Sequence, residues 1–247
     1  MNQGDLLIVI PTYNEALSIP VLIPSIFGVL PNANILIIDD GSPDGTFEIC
    51  QKLSSTDSRI SVINRGEKLG LATAFVHGFK WGLQHNYEVI AEMDADGSHQ
   101  PSDLLELVNT LIAAPHLQMV IGSRWISGGA IENWAWHRTV LSRFANKYAK
   151  AILALPVNDV TAGFRVFRRE VLSRIDLESL QSKGFCFHIE MTNVVATLAV
   201  PIKEVPITFI ERKHGSSKMS FEIAHESFLR VTLWGIQKRL GNLLPLV

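Results

Sequence analysis

Residues 89–112, VIAEMDADGSHQPSDLLELVNTLI, decide the architecture. The run VIAEM is apolar enough for a strand covered on both faces. It ends in Asp94 and Asp96, passes through turn formers, and meets Pro101, a residue suited to the first position of a helix. Leucines at helical spacing follow, so the segment 100–112 is expected to be a helix directly after the strand. A strand that opens into an acidic loop and then a helix is half of a parallel β-α-β unit.

Outward from this segment the same alternation recurs. LLIVI (6–10), ILII (35–38) and ISVI (60–63) precede it and MVIG (119–122) follows, each separated by helical patterns. Together they predict an α/β fold with a mainly parallel central sheet flanked by helices, and ligands bind such sheets at the carboxyl ends of the strands. FRVF (164–167) and VPITFI (205–210) are expected as further strands. SRFANKYAKAILAL (142–155) is expected as a helix, with Phe144, Tyr148 and Leu155 on one side and Arg143, Lys147 and Lys150 on the other. No repeat, low-complexity linker or composition break divides the chain, so 1–247 reads as one domain. Its segment 221–247 is an amphipathic helix with Leu229, Leu233, Ile236 and Leu240 on one face, followed by the tail LLPLV. That face either packs on the domain or lies on a membrane.

Ala16 to Ile38 carries no charge, yet Pro20, Pro24 and Pro31 with Asn32 and Asn34 break it, so a helix, a turn and a buried strand are expected rather than a membrane span. The apolar run at 6–10 lacks a basic flank, which argues against a secretory signal. A formal net charge of −2 argues against nucleic acid as a partner, because binding a duplex needs a Lys/Arg excess. Charge is nonetheless uneven. Residues 39–48 hold four acids and no base, whereas 124–174 hold nine Lys/Arg against Glu132, Asp159 and Glu170. Such a division suits a cation on one side of a site and an anionic substrate on the other. Cys50 and Cys186 have no metal-ligand or CxxC spacing, consistent with reduced thiols in a cytosolic compartment.

Asp94 and Asp96, one residue apart on an extended strand end, face the same way and offer hard oxygen ligands to one Mg²⁺ or Mn²⁺. Asp39 and Asp40 end another strand ahead of GSPDGT, where Asp44 and Gly45 suit an Asx-type turn. Asp40, beside the first strand's PTYNE loop, is placed to meet a nucleoside base or ribose. His77, His99, His188 and His214 have no ligand spacing and read as surface or packed residues. Trp125, Trp134 and Trp136 lie in a Gly-rich loop, as packing anchors or as a lid.

Taken together, PTYNE, IIDDGSPDGT, LGLATAFVHG, MDADGSHQP, IGSRW, HRTVLSRFAN, DVTAGFRVFRREV, SKGFCFHIEM, EVPITFIER and GSSKMS resemble the dolichol- and polyprenol-phosphate mannosyltransferases, family-2 glycosyltransferases of GT-A fold. The blocks follow the family order from residue 11 to about 219, and the NWAWHR and KMS…LWGI forms are similar to the bacterial polyprenol monophosphomannose synthases. The resemblance implies transfer of mannose from GDP-mannose to a polyprenyl phosphate. It assigns donor binding to Pro11, Tyr13, Glu15, Ile38, Asp40, Asp94, Ala95, Asp96, Arg124, Arg212 and Lys218, and the metal to Asp94 and Asp96. Gly97 stands where many relatives have Leu, and Ser98 where some have a Gln close to the metal, which leaves the metal preference and a third protein ligand open. It also implies a protein peripheral on the cytoplasmic face of a membrane, held by the membrane surface or by a small membrane partner protein.

The residues themselves add that no side chain stands out as a general base. A phosphate acceptor needs none, because its second pKa near ~6 leaves it largely dianionic at neutral pH. Arg138, Ser142 and Arg143, at the start of the helix beginning in HRTVLSRFAN, are expected to hold that phosphate, with Arg124 approaching from the donor side and Asp96 on the metal. Transfer from a UDP-sugar, a non-catalytic nucleotide-sugar sensor and a sugar-nucleotide pyrophosphorylase are the competing readings. The last needs a Gly-rich basic loop where PTYNEALSIP has neither Gly nor Lys.

Overall fold

The computed structural model describes residues 5–182, 184, 186–211 and 221–241. β1 (Leu6–Thr12), α1 (Ile19–Val29), β2 (Asn34–Asp39), α2 (Thr46–Thr56), β3 (Ile60–Asn64), α3 (Leu71–Gln84), β4 (Val89–Glu92), α4 (Pro101–Ala113) and β5 (Met119–Ser123) alternate as the apolar runs predict. The uncharged stretch 16–38 resolves into a helix, a turn and a strand. The second half brings β6 (Ala130–Glu132), α5 (Trp136–Leu153), β7 (Arg165–Arg168), α6 (Arg169–Ser173), α7 (Cys186–Thr197), β8 (Ile202–Pro206), β9 (Thr208–Ile210) and α8 (Phe221–Arg239).

Seven strands form one sheet in the order β3-β2-β1-β4-β7-β5-β8, and β6 pairs with β9 in a separate two-stranded sheet. Within the large sheet β7 alone runs antiparallel to its neighbours, β4 and β5. The carboxyl ends of β1, β2, β4 and β5 therefore lie on one edge, and the loop that leads into β7 reaches that same edge. Both faces are covered, which is why the strands are uninterrupted apolar runs. Ile8 and Ile10 join the core beneath α1 and α4, while Leu7 and Val9 join the core on the α3 side. Helix α3 lies very close to the sheet. A Cβ on Gly78 would sit 2.3 Å from Val9 Cγ1, and one on Gly82 2.6 Å from Ile90 Cδ1, so side chains there would force the helix outward.

Two expectations need correction. The helix expected from residue 142 starts six residues earlier, at Trp136 after the extended Ala135, because the stretch WHRTVL holds no Gly or Pro to interrupt it. The expected single strand 205–210 is two. Buried Ile207 gives its N–H to Ser123 O, and the chain leaves the large sheet there to pair with β6. The sequence pattern is blind to that change of partner because all six residues remain apolar or β-branched apart from Pro206.

Candidate active site

The shared edge opens into a cavity of about 570 Å³. On its first side the PTYNE loop is fastened to the turn after β2. Asn14 N–H donates to Ser42 Oγ at 3.0 Å, Glu15 N–H to Thr46 Oγ1 at 2.9 Å and Ala16 N–H to Asp44 Oδ2 at 3.1 Å. Asp44 also accepts from Thr46 N–H two residues on, which is the expected Asx turn, with Gly45 in the left-handed region at φ 87°. Asp39 is consumed by this framework. It is fully buried and accepts from Thr12 Oγ1, Ser42 Oγ and Ser42 N–H. Asp40 lines the cavity, but its carboxylate already takes Gly70 N–H at 2.8 Å and ion-pairs with Arg65, whose Nε lies at 2.6 Å. Pro11, Tyr13 and Glu15 line the same side, and Lys68 Nζ lies 4.1 Å from the Tyr13 ring centre.

The floor is the end of β4. Asp94 and Asp96 are partly exposed and line the cavity, with the buried Ala95 between them, as alternation on an extended strand end requires. Asp96 Oδ1 accepts Ser98 N–H at 3.0 Å, and Asp94 N–H donates to His99 Nδ1 at 3.1 Å. Burial pushes the His99 imidazole down to about 4, against the opposing pull of Asp96, so the ring stays neutral and Nδ1 remains an acceptor. His99 stacks on Phe164 at 4.4 Å, which fixes the ring that fixes the loop. Among the described residues no three His, Cys, Asp or Glu side chains are grouped for a metal. The two carboxylates thus fit a hard divalent cation that takes its other oxygens from water and a diphosphate.

The far side carries positive charge. Arg124, just past β5, is held by Asp159 at 2.7 Å through both Nε and Nη2 and by Thr161 Oγ1 at 2.9 Å from Nη2. Asp159 is fully buried, and Asn146 of α5 bonds Thr161, so the loop before β7 and helix α5 are tied through these residues. Arg138 stands in the first turn of α5, lines the cavity with Ser142, and ion-pairs with Glu211. Beyond Ser142 the lining turns apolar, with Leu141, Phe144 and Tyr148 of α5 facing Phe228 and Val231 of α8. Tyr148 stacks on Phe228 at 4.6 Å.

The cavity therefore gathers Pro11, Tyr13, Glu15, Asp40, Asp94, Ala95, Asp96, Arg124, Arg138 and Ser142. It does not gather two others. Ile38 is fully buried and packs toward Gly78, since its position on β2 turns the side chain into the α3 side of the core. Arg143 is exposed on α5 with its guanidinium 4.9 Å from the Trp125 ring centre, off the cavity wall. Arg212 and Lys218 lie outside the described residues. Arg65 and His99 were not singled out as site residues, although His99 lines the cavity, and Trp134, expected as a packing anchor or part of a lid, lines it too. His99 was expected as a surface or packed residue, and its place five residues after Asp94 is the one sequence signal that could have marked it.

A sequence profile for Glycosyl transferase family 2 matches residues 7–176. The chain is 45% identical over 237 residues to a polyprenol monophosphomannose synthase of Mycolicibacterium smegmatis, covering 96% of this chain and 89% of the relative. It is 42% identical over 237 residues to an undecaprenyl-phosphate mannosyltransferase of Micrococcus luteus, covering 96% of each. Among solved structures, glucosyl-3-phosphoglycerate synthase of Mycobacterium tuberculosis with Mn²⁺, UDP and phosphoglyceric acid is similar in fold, with TM-score 0.61 and 18% identity over 96% of this chain and 78% of that one. A mannosyltransferase of Pyrobaculum calidifontis in complex with GDP-Man and Mn²⁺ has TM-score 0.58 and 17% identity, covering 96% of this chain and 64% of that one.

Proposed function

We propose, on the premise that this chain belongs to glycosyl transferase family 2, that it transfers mannose from GDP-mannose to the phosphate of a polyprenyl monophosphate with inversion at the anomeric carbon. The two named relatives support the sugar and the lipid acceptor. The observation that carries the reading is the single cavity with carboxylates on its floor, arginines on its far side and an apolar extension beyond them.

Such a cavity can hold two anions and an apolar chain at once. Pro11, Tyr13, Glu15 and Asp40 flank the nucleoside, while Asp94 and Asp96 would hold Mg²⁺ or Mn²⁺. Held by these two carboxylates, such a cation would supply positive charge for the departing diphosphate. Arg138 and Ser142, in the first turns of α5, offer the acceptor phosphate a guanidinium, a hydroxyl and the positive end of a helix. A phosphate oxygen attacks the anomeric carbon from the face opposite the diphosphate, and GDP departs with the bonding electrons. The far side supplies arginines rather than a base, which matches an acceptor that is already ionised. Incubating purified protein with GDP-mannose, Mn²⁺ or Mg²⁺ and a short polyprenyl phosphate should yield an organic-extractable mannolipid. Activity with UDP-glucose or UDP-N-acetylhexosamine in its place would overturn the donor assignment.

Arg138→Ala should cut transfer roughly ~10²-fold while GDP-mannose affinity and the melting temperature stay close to the parent's. Its ion pair with Glu211 is partly exposed, so losing it costs only about ~1 kcal/mol or less. A parallel fall in melting temperature and donor affinity would make the residue structural.

Among the described residues no helix is long and apolar enough to cross a membrane. The apolar face of α8 is exposed nevertheless, with Leu229, Leu233, Ile236 and Leu240 uncovered, and α5 adds Trp136, Val140, Leu141 and Phe144. We infer that this face rests on the cytoplasmic side of the membrane that carries the acceptor, at the apolar end of the cavity. Replacing Leu233 and Ile236 by Glu should lower co-sedimentation with anionic liposomes several-fold while the fold is retained. Unchanged sedimentation would leave the face without this role.

A further inference from the structure

Arg124, Trp134 and Arg138 come from three separate places, the end of β5, the loop after β6 and the first turn of α5, yet they converge on one wall of the cavity. The Arg138 guanidinium carbon lies 4.1 Å from the Trp134 ring centre, and that of Arg124 lies 5.7 Å from the same ring. Phe209 meets Trp134 edge to face at 5.4 Å and backs Arg124 at 5.5 Å. One indole thus contacts both guanidiniums.

Resting on the acceptor reading above, we propose that Trp134 is a positioning residue for acceptor transfer, its ring face holding Arg138, and more weakly Arg124, in the arrangement that receives the lipid's phosphate. Two guanidiniums on one wall repel each other, a repulsion that their own carboxylate partners reduce and an arriving anion would reduce further. The negative face of an indole attracts both and lowers that repulsion without neutralising either, as a carboxylate between them would. The carboxylates sit elsewhere. Asp159 grips Arg124 from the buried side and Glu211 pairs with Arg138 near the surface, so each arginine is held between a carboxylate and the ring. Arg124 has a bidentate buried partner, whereas the ion pair of Arg138 with Glu211 is partly exposed and constrains its guanidinium less. The effect should therefore run mainly through Arg138.

The ring, rather than the indole N–H, carries this role. Trp134 Nε1 is buried and has no hydrogen-bond acceptor among the described residues, so hydrogen bonding does not explain a tryptophan here.

The test is a variant series assayed for transfer to a short polyprenyl phosphate, with GDP-mannose affinity and melting temperature measured in parallel. Trp134→Leu should lower kcat/KM for the acceptor about ~10-fold, the size of one cation–π contact, with donor affinity unchanged. Trp134→Phe, which keeps a ring face and lacks the N–H, should recover most of that loss. In an Arg138→Ala background most of the effect of Trp134→Leu should disappear, because the partner through which it acts is gone. An undiminished effect in that background, or a Phe variant as impaired as the Leu variant, would overturn the proposal. So would a Leu variant that transfers like the parent. Failure of the unsubstituted protein to transfer at all would overturn the acceptor reading itself.

Discussion

Asp96→Asn is expected to abolish the metal-dependent part of GDP binding while leaving the metal-free part and the fold intact. Asn is the informative replacement because Asp96 does two things. Its Oδ1 accepts Ser98 N–H at 3.0 Å and closes the turn after β4, a bond that an amide oxygen reproduces. Its negative charge, which Asn removes, is what a divalent cation needs. With two carboxylates at the floor among the described residues, losing one would remove half of the anionic ligands proposed for the cation. Changes that only touch a ligand's hydrogen-bonding partner already cost 10–100-fold in metal affinity, so losing a direct ligand should cost at least ~10-fold. Isothermal titration with GDP, with and without Mn²⁺, measures this. Affinity in Mn²⁺ within about twofold of the parent's would remove Asp96 from the metal site.

Much of this floor was legible before any coordinates. Period and turn chemistry located β1 to β5, and strand-end position gave the DAD pair its meaning, because a parallel sheet gathers its carboxyl ends on one edge. What stayed hidden depends on partners and packing faces that local pattern does not reveal, most of them far along the chain. Asp40 looked like an open ligand because nothing nearby announces that Arg65, twenty-five residues on, would pair with it. Ile38 and Arg143 belong to matching motifs, but side-chain direction depends on which face of β2 meets α3 and where α5 begins. His99 bore no metal spacing, and its role is to accept a main-chain N–H. Arg124 was legible as a site cation, and its buried clamp by Asp159 was not.

Arg165→Met is expected to destabilise the protein by about 3–5 kcal/mol, a fall in melting temperature on the order of 10 °C for a chain of this size. Arg165 opens β7 and is fully buried. Its Nε donates to Ala162 O at 2.7 Å, and its Nη2 to Val160 O at 3.1 Å, His188 O at 2.8 Å and Thr192 Oγ1 at 2.9 Å. One guanidinium thus ties the loop that holds Asp159 and Thr161 to helix α7. Methionine matches its bulk, so the cost is the carbonyls left without donors rather than a cavity. The neighbouring Glu92 invites a different explanation, a buried ion pair, but the geometry opposes it. Glu92 Oε2 stands 4.0 Å from Arg165 Nε, and neither carboxyl oxygen has a hydrogen-bond partner among the described residues. Burial, opposed by Arg165, pushes this carboxyl up to about 8, so it is mostly protonated at neutral pH. Glu92→Gln should accordingly shift the melting temperature far less than Arg165→Met, and thermal melts of the two variants at pH 7 separate the explanations. Equal losses would make the ion pair the tie. A loss under about 2 °C for Arg165→Met would mean that the loop before β7, and with it the clamp on Arg124, is held by other contacts.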